Sequence, residues 1–308
     1  MRGHQGDHRV AVQELLTERV GREGTWREVR FRSSDGLELY ARDYGPLNTR
    51  RLPVLILSGL TRNSKDAHPL AVRLAPRRRV IALDYRGRGL SQYAADWSTY
   101  RVDVEMADAI ALLDLLRIER MVLIGTSRGG LIGMLLAAHH RDRLAGLLLN
   151  DIGPVLEPPG LVRIRSYLGR KPRFTTWKGA VAALKATNPG FDLEEEEWLE
   201  FARRLFRDEG GRPLLDYDPN LRLIFPTRRQ IERGFVKPMW DLFEAVRGIP
   251  AAALRGEHSD LLSRETLARM AAEVADLDTA TVKGRGHAPF LDEPESLAAV
   301  DRLLARTG

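Results

Sequence analysis

The sequence predicts an α/β fold in which a mostly parallel central sheet carries helices on both faces. Short apolar runs, each too short for a helix, recur along the chain, and helical stretches separate them. Strands that are apolar throughout are typical of a sheet buried on both sides. One later region shows helical patterns without a clear buried strand, which predicts a helical segment inserted into this domain.

The first element of the body is predicted to be an antiparallel hairpin. Apolar and polar residues alternate over residues 26–32 and again over residues 37–41, on either side of the turn Ser33-Ser34-Asp35-Gly36. A period of two around a glycine-containing turn is the pattern of a hairpin. Before it, apolar residues between Val12 and Val20 recur at helical spacing, which predicts a short amphipathic helix.

The buried strands follow the hairpin and alternate with helices. The predicted strands are residues 54–57, 80–83, 121–124, 147–149 and 251–254, with residues 279–282 as the last. Among the helices, residues 103–116 carry acids in the first turn, where the helix dipole favours them.

The interruption lies between Pro154 and Pro238. Its plainest helix covers residues 193–206 and is predicted to stop at Gly210-Gly211. We therefore predict an N-terminal extension (residues 1–25), an α/β core (residues 26–153 and 239–308) and a helical cap (residues 154–238). A helical segment inserted in this way can act as a lid over a pocket.

The composition argues against several classes of protein. The chain has no cysteine, which excludes disulfides and thiolate zinc sites. No stretch approaches the roughly 20 apolar residues of a membrane helix, and the polar first residues lack the apolar core of a secretory signal. We therefore expect a cytoplasmic protein without membrane association. The net charge is +6, but the basic residues are scattered and lack interleaved aromatic residues, so we expect a charged surface and no nucleic-acid site.

The strongest chemical signal is Gly125-Thr126-Ser127-Arg128-Gly129, which has the form G-x-S-x-G. An apolar run precedes it and an apolar helical stretch follows it, which is the required context of strand, turn and helix. A nucleophilic serine must protrude from a sharp turn, and glycine on either side removes side chains that would clash. The N-terminus of the following helix can stabilise a developing negative charge. Ser127 is therefore the candidate nucleophile.

A serine hydroxyl needs a base, which is most often histidine. Among the seven histidines of the chain, His287 lies in a loop directly after the last predicted strand. The others lie in the polar N-terminus, in helical stretches or, for His258, beside a candidate acid. His287 is therefore the candidate base.

Two aspartates compete for the third position, the carboxylate that orients the imidazole. Asp260 follows the strand predicted at residues 251–254, which gives the chain order Ser, Asp, His. Asp151 follows an earlier strand. Chain order and loop position favour Asp260, and Asp151 is the alternative. Either residue could instead cap its own loop.

Together, these segments resemble the α/β-hydrolase superfamily, and in particular its capped serine hydrolases. Besides the serine motif, residues 84–91 (DYRGRGLS) are similar to the turn that follows the strand preceding the serine strand in these proteins. Residues 286–289 (GHAP) with residues 293–295 (EPE) are similar to their catalytic-histidine loop. The resemblance extends from Trp26 to the C-terminus and is weakest over the predicted cap.

The resemblance also implies an oxyanion hole formed by the backbone N–H groups of Leu60 and Arg128. In the matching segment, residues 57–61 (LSGLT), Ser58 stands where the family typically has histidine. The donor remains, because it is a backbone group.

The implied reaction is acyl transfer to water without a cofactor or a metal. Ser127 would attack the carbonyl of a small-molecule substrate, a carboxylic ester or lactone, and His287 would relay the proton. The same residues would serve a carbon–carbon bond hydrolase of a diketone-like acid. A ligand receptor derived from a hydrolase is the alternative from another class. Trp177, Trp198 and Trp240 are the candidate pocket residues.

Overall fold

The structure is a computed structural model that describes residues 17–21 and 24–308. The strands are β1 (Thr17–Gly21), β2 (Gly24–Arg32), β3 (Glu38–Tyr44), β4 (Val54–Leu57), β5 (Val80–Asp84), β6 (Met121–Thr126), β7 (Leu144–Asn150), β8 (Phe206–Glu209), β9 (Arg212–Leu215), β10 (Ala251–Gly256) and β11 (Asp278–Val282). The helices are α1 (Ser64–Leu74), α2 (Val102–Leu115), α3 (Arg128–His139), α4 (Pro158–Tyr167), α5 (Trp177–Thr187), α6 (Glu195–Leu205), α7 (Leu221–Ile224), α8 (Arg228–Glu232), α9 (Trp240–Glu244), α10 (Arg264–Glu273) and α11 (Pro294–Thr307).

In the described residues, one central sheet has the strand order β1-β2-β3-β5-β4-β6-β7-β10-β11. The pairs from β5 to β11 are all parallel, whereas β1, β2 and β3 join antiparallel at one edge. The predicted hairpin is confirmed, with Arg32 opposite Glu38 at its closed end. Gly36 in its turn has a φ of 84°, which a residue with a side chain adopts only at a cost.

Helices cover both faces of this sheet, as predicted. Leu55 and Leu57 of β4 pack with α2 and α3 in one apolar cluster. Val54 and Ile56 of the same strand pack with α1 and α11 in a second cluster. Because alternate residues of a strand point to opposite faces, an unbroken apolar strand is what a sheet covered on both sides requires.

The expected N-terminal helix is corrected by the structure. Its first part, residues 12–16, lies outside the described residues. From Thr17 onward the chain forms β1, which pairs antiparallel with β2 so that Val20 lies opposite Thr25. Helical spacing of apolar residues was therefore a misleading guide here, because pairing with a strand edge decided the local structure.

The strands β7 and β10 are neighbours in the sheet, and the chain between them contains α4 to α9 and the hairpin β8–β9. We refer to residues 154–238, which contain α4 to α8 and this hairpin, as the insertion. The helix predicted at residues 193–206 is present as α6, which begins with a reciprocal capping pair between Glu194 and Glu197. Gly210 and Gly211 do not end this helix; they form the turn between β8 and β9, with φ angles of 61° and 85°. No helix within the described residues is both long and apolar enough to cross a membrane.

Candidate active site

Ser127 lies at the turn between β6 and α3, with φ 50° and ψ −107°. This conformation is strained for a residue with a side chain. A Cβ on Gly125 would lie 2.5 Å from the backbone of Gly129, and a Cβ on Gly129 would lie 2.1 Å from the carbonyl oxygen of Leu57. The two glycines of the motif therefore let the turn, the helix and the neighbouring β4 approach closely, for the steric reason that the sequence pattern suggested.

His287 joins the serine to a carboxylate. Its Nε2 lies 2.9 Å from Ser127 Oγ, and its Nδ1 lies 2.7 Å from Asp151 Oδ2. The imidazole is almost entirely buried, with 8% of its side chain exposed. A hydroxyl, an imidazole and a carboxylate thus form one hydrogen-bonded chain, in which the imidazole can take the proton of the hydroxyl.

Asp151 is fully buried and held in one orientation. Its Oδ1 accepts a hydrogen bond from the Gly256 N–H at 2.7 Å, and its Oδ2 accepts one from the Ser259 hydroxyl at 2.6 Å. Its own N–H donates to the carbonyl of Leu254 in β10, and its φ of 52° turns the chain sharply after β7. These contacts aim the carboxylate at His287.

The preference for Asp260 as the partner of His287 is corrected by this geometry. Asp260 forms a bidentate ion pair with Arg163 of α4, at 2.6 and 2.8 Å. Since β7 and β10 are adjacent, the loops that follow them emerge side by side, and both aspartates come near His287. Asp151 immediately follows its strand and reaches the ring, whereas Asp260 lies four residues beyond the end of β10 and meets an arginine of the insertion.

The loop of residues 58–61 lies against the serine. A Cβ on Gly59 would lie 3.9 Å from the Cβ of Ser127, and Leu60 lines the same cavity as Ser127. Arg128, the other expected source of a backbone N–H, is the first residue of α3. Ser58, which stands where the family typically has histidine, is buried and donates its hydroxyl to the carbonyl of Asn63, so its side chain closes the loop.

A cavity of about 360 Å³ opens onto Ser127 and His287 from the side of the insertion. Most of its wall is apolar and comes from the insertion: Ile164, Leu184, Phe201, Leu205, Phe206 and Leu215. The insertion therefore supplies most of the apolar wall beside the serine.

The three tryptophans proposed for this cavity do not line it. Trp198 is 4% exposed and packs against Phe191 and Phe201 inside the insertion. Trp177 borders a separate depression, and Trp240 packs under Arg269, with the guanidinium carbon 3.7 Å from the ring centre. The orientation of these side chains could not be predicted from the sequence. The cavity wall includes Phe201 and Leu205 of α6, whose apolar pattern is visible in the sequence but does not separate cavity wall from core.

Three cationic residues lie at the exposed part of this cavity: Arg170, Lys171 and Arg173. We refer to them as the basic rim. In the described part of the chain, none of the three forms an ion pair with a carboxylate. Arg62, deeper in the wall, differs in this respect, because it pairs with Asp66 at 2.8 Å and lies over the ring of Phe201.

Among the described residues, no group of three or more histidine, aspartate or glutamate side chains is arranged to hold a metal ion.

Comparison with known proteins agrees with this architecture. The model of the alpha/beta hydrolase family matches residues 54–300. The chain is 36% identical over 260 residues to the 3-hydroxybutyrate-oligomer hydrolase of Cupriavidus necator, covering 82% of this chain and 87% of that protein. It is 28% identical over 239 residues to the 2-(acetamidomethylene)succinate hydrolase of Mesorhizobium japonicum, covering 76% and 81% of the two chains. The crystal structure of an α/β hydrolase from Novosphingobium aromaticivorans matches with a TM-score of 0.82 and 43% identity, over 91% of this chain and 98% of that one. The protein therefore belongs to the α/β-hydrolase family.

Proposed function

We propose that the protein is a serine hydrolase that cleaves carboxylic esters through an acyl-enzyme. The observation that carries this proposal is the hydrogen-bonded chain from Ser127 Oγ through His287 to Asp151. In such a chain the carboxylate holds the imidazole in the productive tautomer and stabilises the imidazolium that forms. The strained backbone of Ser127, beside an apolar cavity, supports the same role.

The proposed reaction has two halves. Ser127 Oγ attacks the ester carbonyl while His287 Nε2 takes its proton, and the backbone N–H groups of Leu60 and Arg128 stabilise the oxyanion. Collapse of the tetrahedral intermediate breaks the bond to the alcohol, which leaves with the proton from His287. Water then gives a proton to His287 and attacks the acyl group, and the carboxylic acid product leaves with Ser127 restored.

For the substrate we propose a short oligoester of a hydroxy acid. The apolar wall suits the carbon chain of such a molecule, and the basic rim suits its terminal carboxylate. The name of the Cupriavidus necator relative states that it hydrolyses oligomers of 3-hydroxybutyrate, which combine these features. We further propose that the insertion acts as a cap that selects the chain.

The test is hydrolysis of the linear trimer of 3-hydroxybutyrate, followed by chromatography of its products. A simple nitrophenyl ester, a lactone and a diketone-like acid are assayed in parallel, with Ser127→Ala as the control. We expect the trimer to be cleaved by the natural chain and turnover to fall to the residual level in Ser127→Ala. Cleavage of the lactone or of the diketone-like acid alone would redirect the proposal to those substrates. Binding of the trimer without turnover of any of these compounds would instead favour a ligand receptor derived from a hydrolase.

A further inference from the structure

A buried ion network lies beneath the serine turn. Glu105 of α2 is fully buried, and its Oε1 accepts a hydrogen bond from Arg88 Nη1 at 2.7 Å. Its Oε2 accepts one from Arg128 Nε at 2.6 Å. Arg88 is fully buried as well, and the side chain of Arg128 is 10% exposed. Since burying charges costs free energy that their attraction often fails to repay, stability alone is a weak reason for such a network.

Each arginine of this network is tied to one of the two residues that supply oxyanion donors in the proposed mechanism. Arg88 Nε donates to the carbonyl oxygen of Leu60 at 2.9 Å, which fixes the peptide adjoining the Leu60 N–H. Arg128 supplies the other N–H, and its guanidinium is anchored to Glu105 and, through Nη2, to the carbonyl of Tyr100 at 2.7 Å. One carboxylate therefore bridges the side chains that hold both halves of the proposed oxyanion hole.

The network of Glu105, Arg88 and Arg128 also carries a net positive charge. Burial opposes ionisation of Glu105, but the charges of Arg128 and Arg88 outweigh it and lower the pKa of this carboxyl. Two cations and one anion leave a net positive charge of one. Within the described residues, Arg88 Nη2 is buried and has no hydrogen-bond partner. In a water-poor interior, this excess charge favours a nearby developing anion.

We infer that Glu105 is a positioning residue, which acts through Arg88 and Arg128 to keep the two oxyanion donors aimed at one point between them. This inference rests on the proposed function, because it requires that an oxyanion forms there. Glu105 itself touches no reacting atom.

The chain offers a matched control on the same helix. Asp108 lies three residues after Glu105, is 3% exposed, and binds Arg86 through two hydrogen bonds of 2.7 and 2.8 Å. In the described part of the chain, the side chains of this pair form no hydrogen bond or ion pair with residues 58–61 or with Arg128. The Arg86 carbonyl accepts a hydrogen bond from Arg88 Nη1 at 2.6 Å, but this contact is to the backbone of Arg86 and does not involve Asp108. Asp108→Asn thus removes a comparable buried charge without removing a side-chain contact to the proposed donors.

The experiment compares Glu105→Gln with Asp108→Asn on an activated ester and on a trifluoromethyl ketone. Such a ketone reacts with a serine hydroxyl to give an anionic tetrahedral adduct, so its inhibition constant reports on the oxyanion hole. Loss of one donor typically costs about 10²- to 10³-fold in kcat, so we expect misplaced donors in Glu105→Gln to cost about 10- to 100-fold. The inhibition constant should rise by a similar factor, with KM within about twofold.

Asp108→Asn should lower the unfolding temperature yet leave kcat and the inhibition constant within about twofold of the natural chain. Equal effects of Glu105→Gln and Asp108→Asn on kcat and inhibition would overturn the inference. If Glu105→Gln does not fold, Arg128→Gln is used, since its side chain lies nearer the surface; unchanged kcat and inhibition there would also overturn it. A natural chain that neither hydrolyses the ester nor binds the ketone would refute the proposed function instead.

Discussion

Arg163 forms a bidentate ion pair with Asp260, in which Nε lies 2.6 Å from Oδ2 and Nη2 lies 2.8 Å from Oδ1. The pair connects α4 of the insertion to the loop after β10, beside His287. A bidentate arginine satisfies a carboxylate that would otherwise be available to an imidazole. Among the residues that the structure describes, Asp151 has no arginine or lysine as a hydrogen-bond partner, and it contacts the His287 ring directly. We therefore expect different consequences from neutralising the two acids.

Asp151→Asn should lower kcat by about 10³- to 10⁴-fold, as in serine proteases that lose the corresponding charge, because an amide can hold the wrong tautomer and cannot stabilise the imidazolium. Asp260→Asn should cost less than about tenfold, since it acts only through the position of its loop. Both variants are measured with the same activated ester, and circular dichroism checks their folding. A greater loss of kcat from Asp260→Asn would reassign the acid, and equal losses would mean that the carboxylates share the role.

The Arg163–Asp260 pair should also make stability depend on pH. Burial opposes ionisation of Asp260, but the hydrogen bonds and charge of Arg163 outweigh it and lower the pKa of this carboxyl. A depressed pKa in the folded state contributes stability above the unfolded value of about 3.9, and this stability is lost as the pH falls through the folded value.

Arg163→Met should therefore lower the free energy of unfolding near pH 7 by about 1–2 kcal/mol, between the values for exposed and buried pairs. The difference from the natural chain should shrink as the pH falls below about 4. Urea unfolding across this range measures it, with Arg228→Met, from an exposed pair with Glu232, as the control. A difference that stays constant with pH would show that lost packing, and not the ion pair, is its source.

The parts of the fold and site that could be predicted are those in which local sequence carries the physical constraint. The glycines flanking Ser127 are required by contacts with their own helix and the adjacent strand, so the motif contains its structural reason. Unbroken apolar runs predicted the buried strands for a similar reason, because side chains on both faces of each strand pack against helices.

Other features depend on partners that are distant in sequence. Asp260 and Asp151 each follow a strand, but Asp260 pairs with Arg163, 97 residues away, whereas Asp151 contacts His287, 136 residues away. The packing of Trp198 inside the insertion could not be predicted from the sequence either, because an apolar helix face does not distinguish a core residue from a residue of a cavity wall. The strand β1 was not predicted, because its apolar residues have helical spacing and its structure depends on antiparallel pairing with β2.

The basic rim should affect only substrates that carry a carboxylate. Arg173→Gln should raise KM for the hydroxybutyrate trimer by up to about fivefold, the scale of an exposed ion pair. It should leave KM for the methyl ester of the same trimer unchanged. Arg229→Gln, an exposed arginine that does not line the cavity, is the matched control. Equal changes of KM for the acid and its methyl ester would exclude recognition of the terminal carboxylate.

The apolar cavity should limit the length of the acyl chain. Ala183 of α5 lines the cavity, whereas the neighbouring Ala182 is exposed and does not. Because a larger side chain at position 183 would occupy the space proposed for substrate, Ala183→Phe should reduce kcat/KM for an octanoyl nitrophenyl ester by about tenfold or more. The acetyl ester should be affected by less than about threefold, since its short chain stays near Ser127. Ala182→Phe should change neither rate, which controls for the added aromatic ring on this helix.

The ratio of the two kcat/KM values measures chain-length selection independently of how much enzyme is folded. An unchanged ratio in Ala183→Phe would mean that the acyl chain binds elsewhere, and the apolar wall would then lose its proposed role.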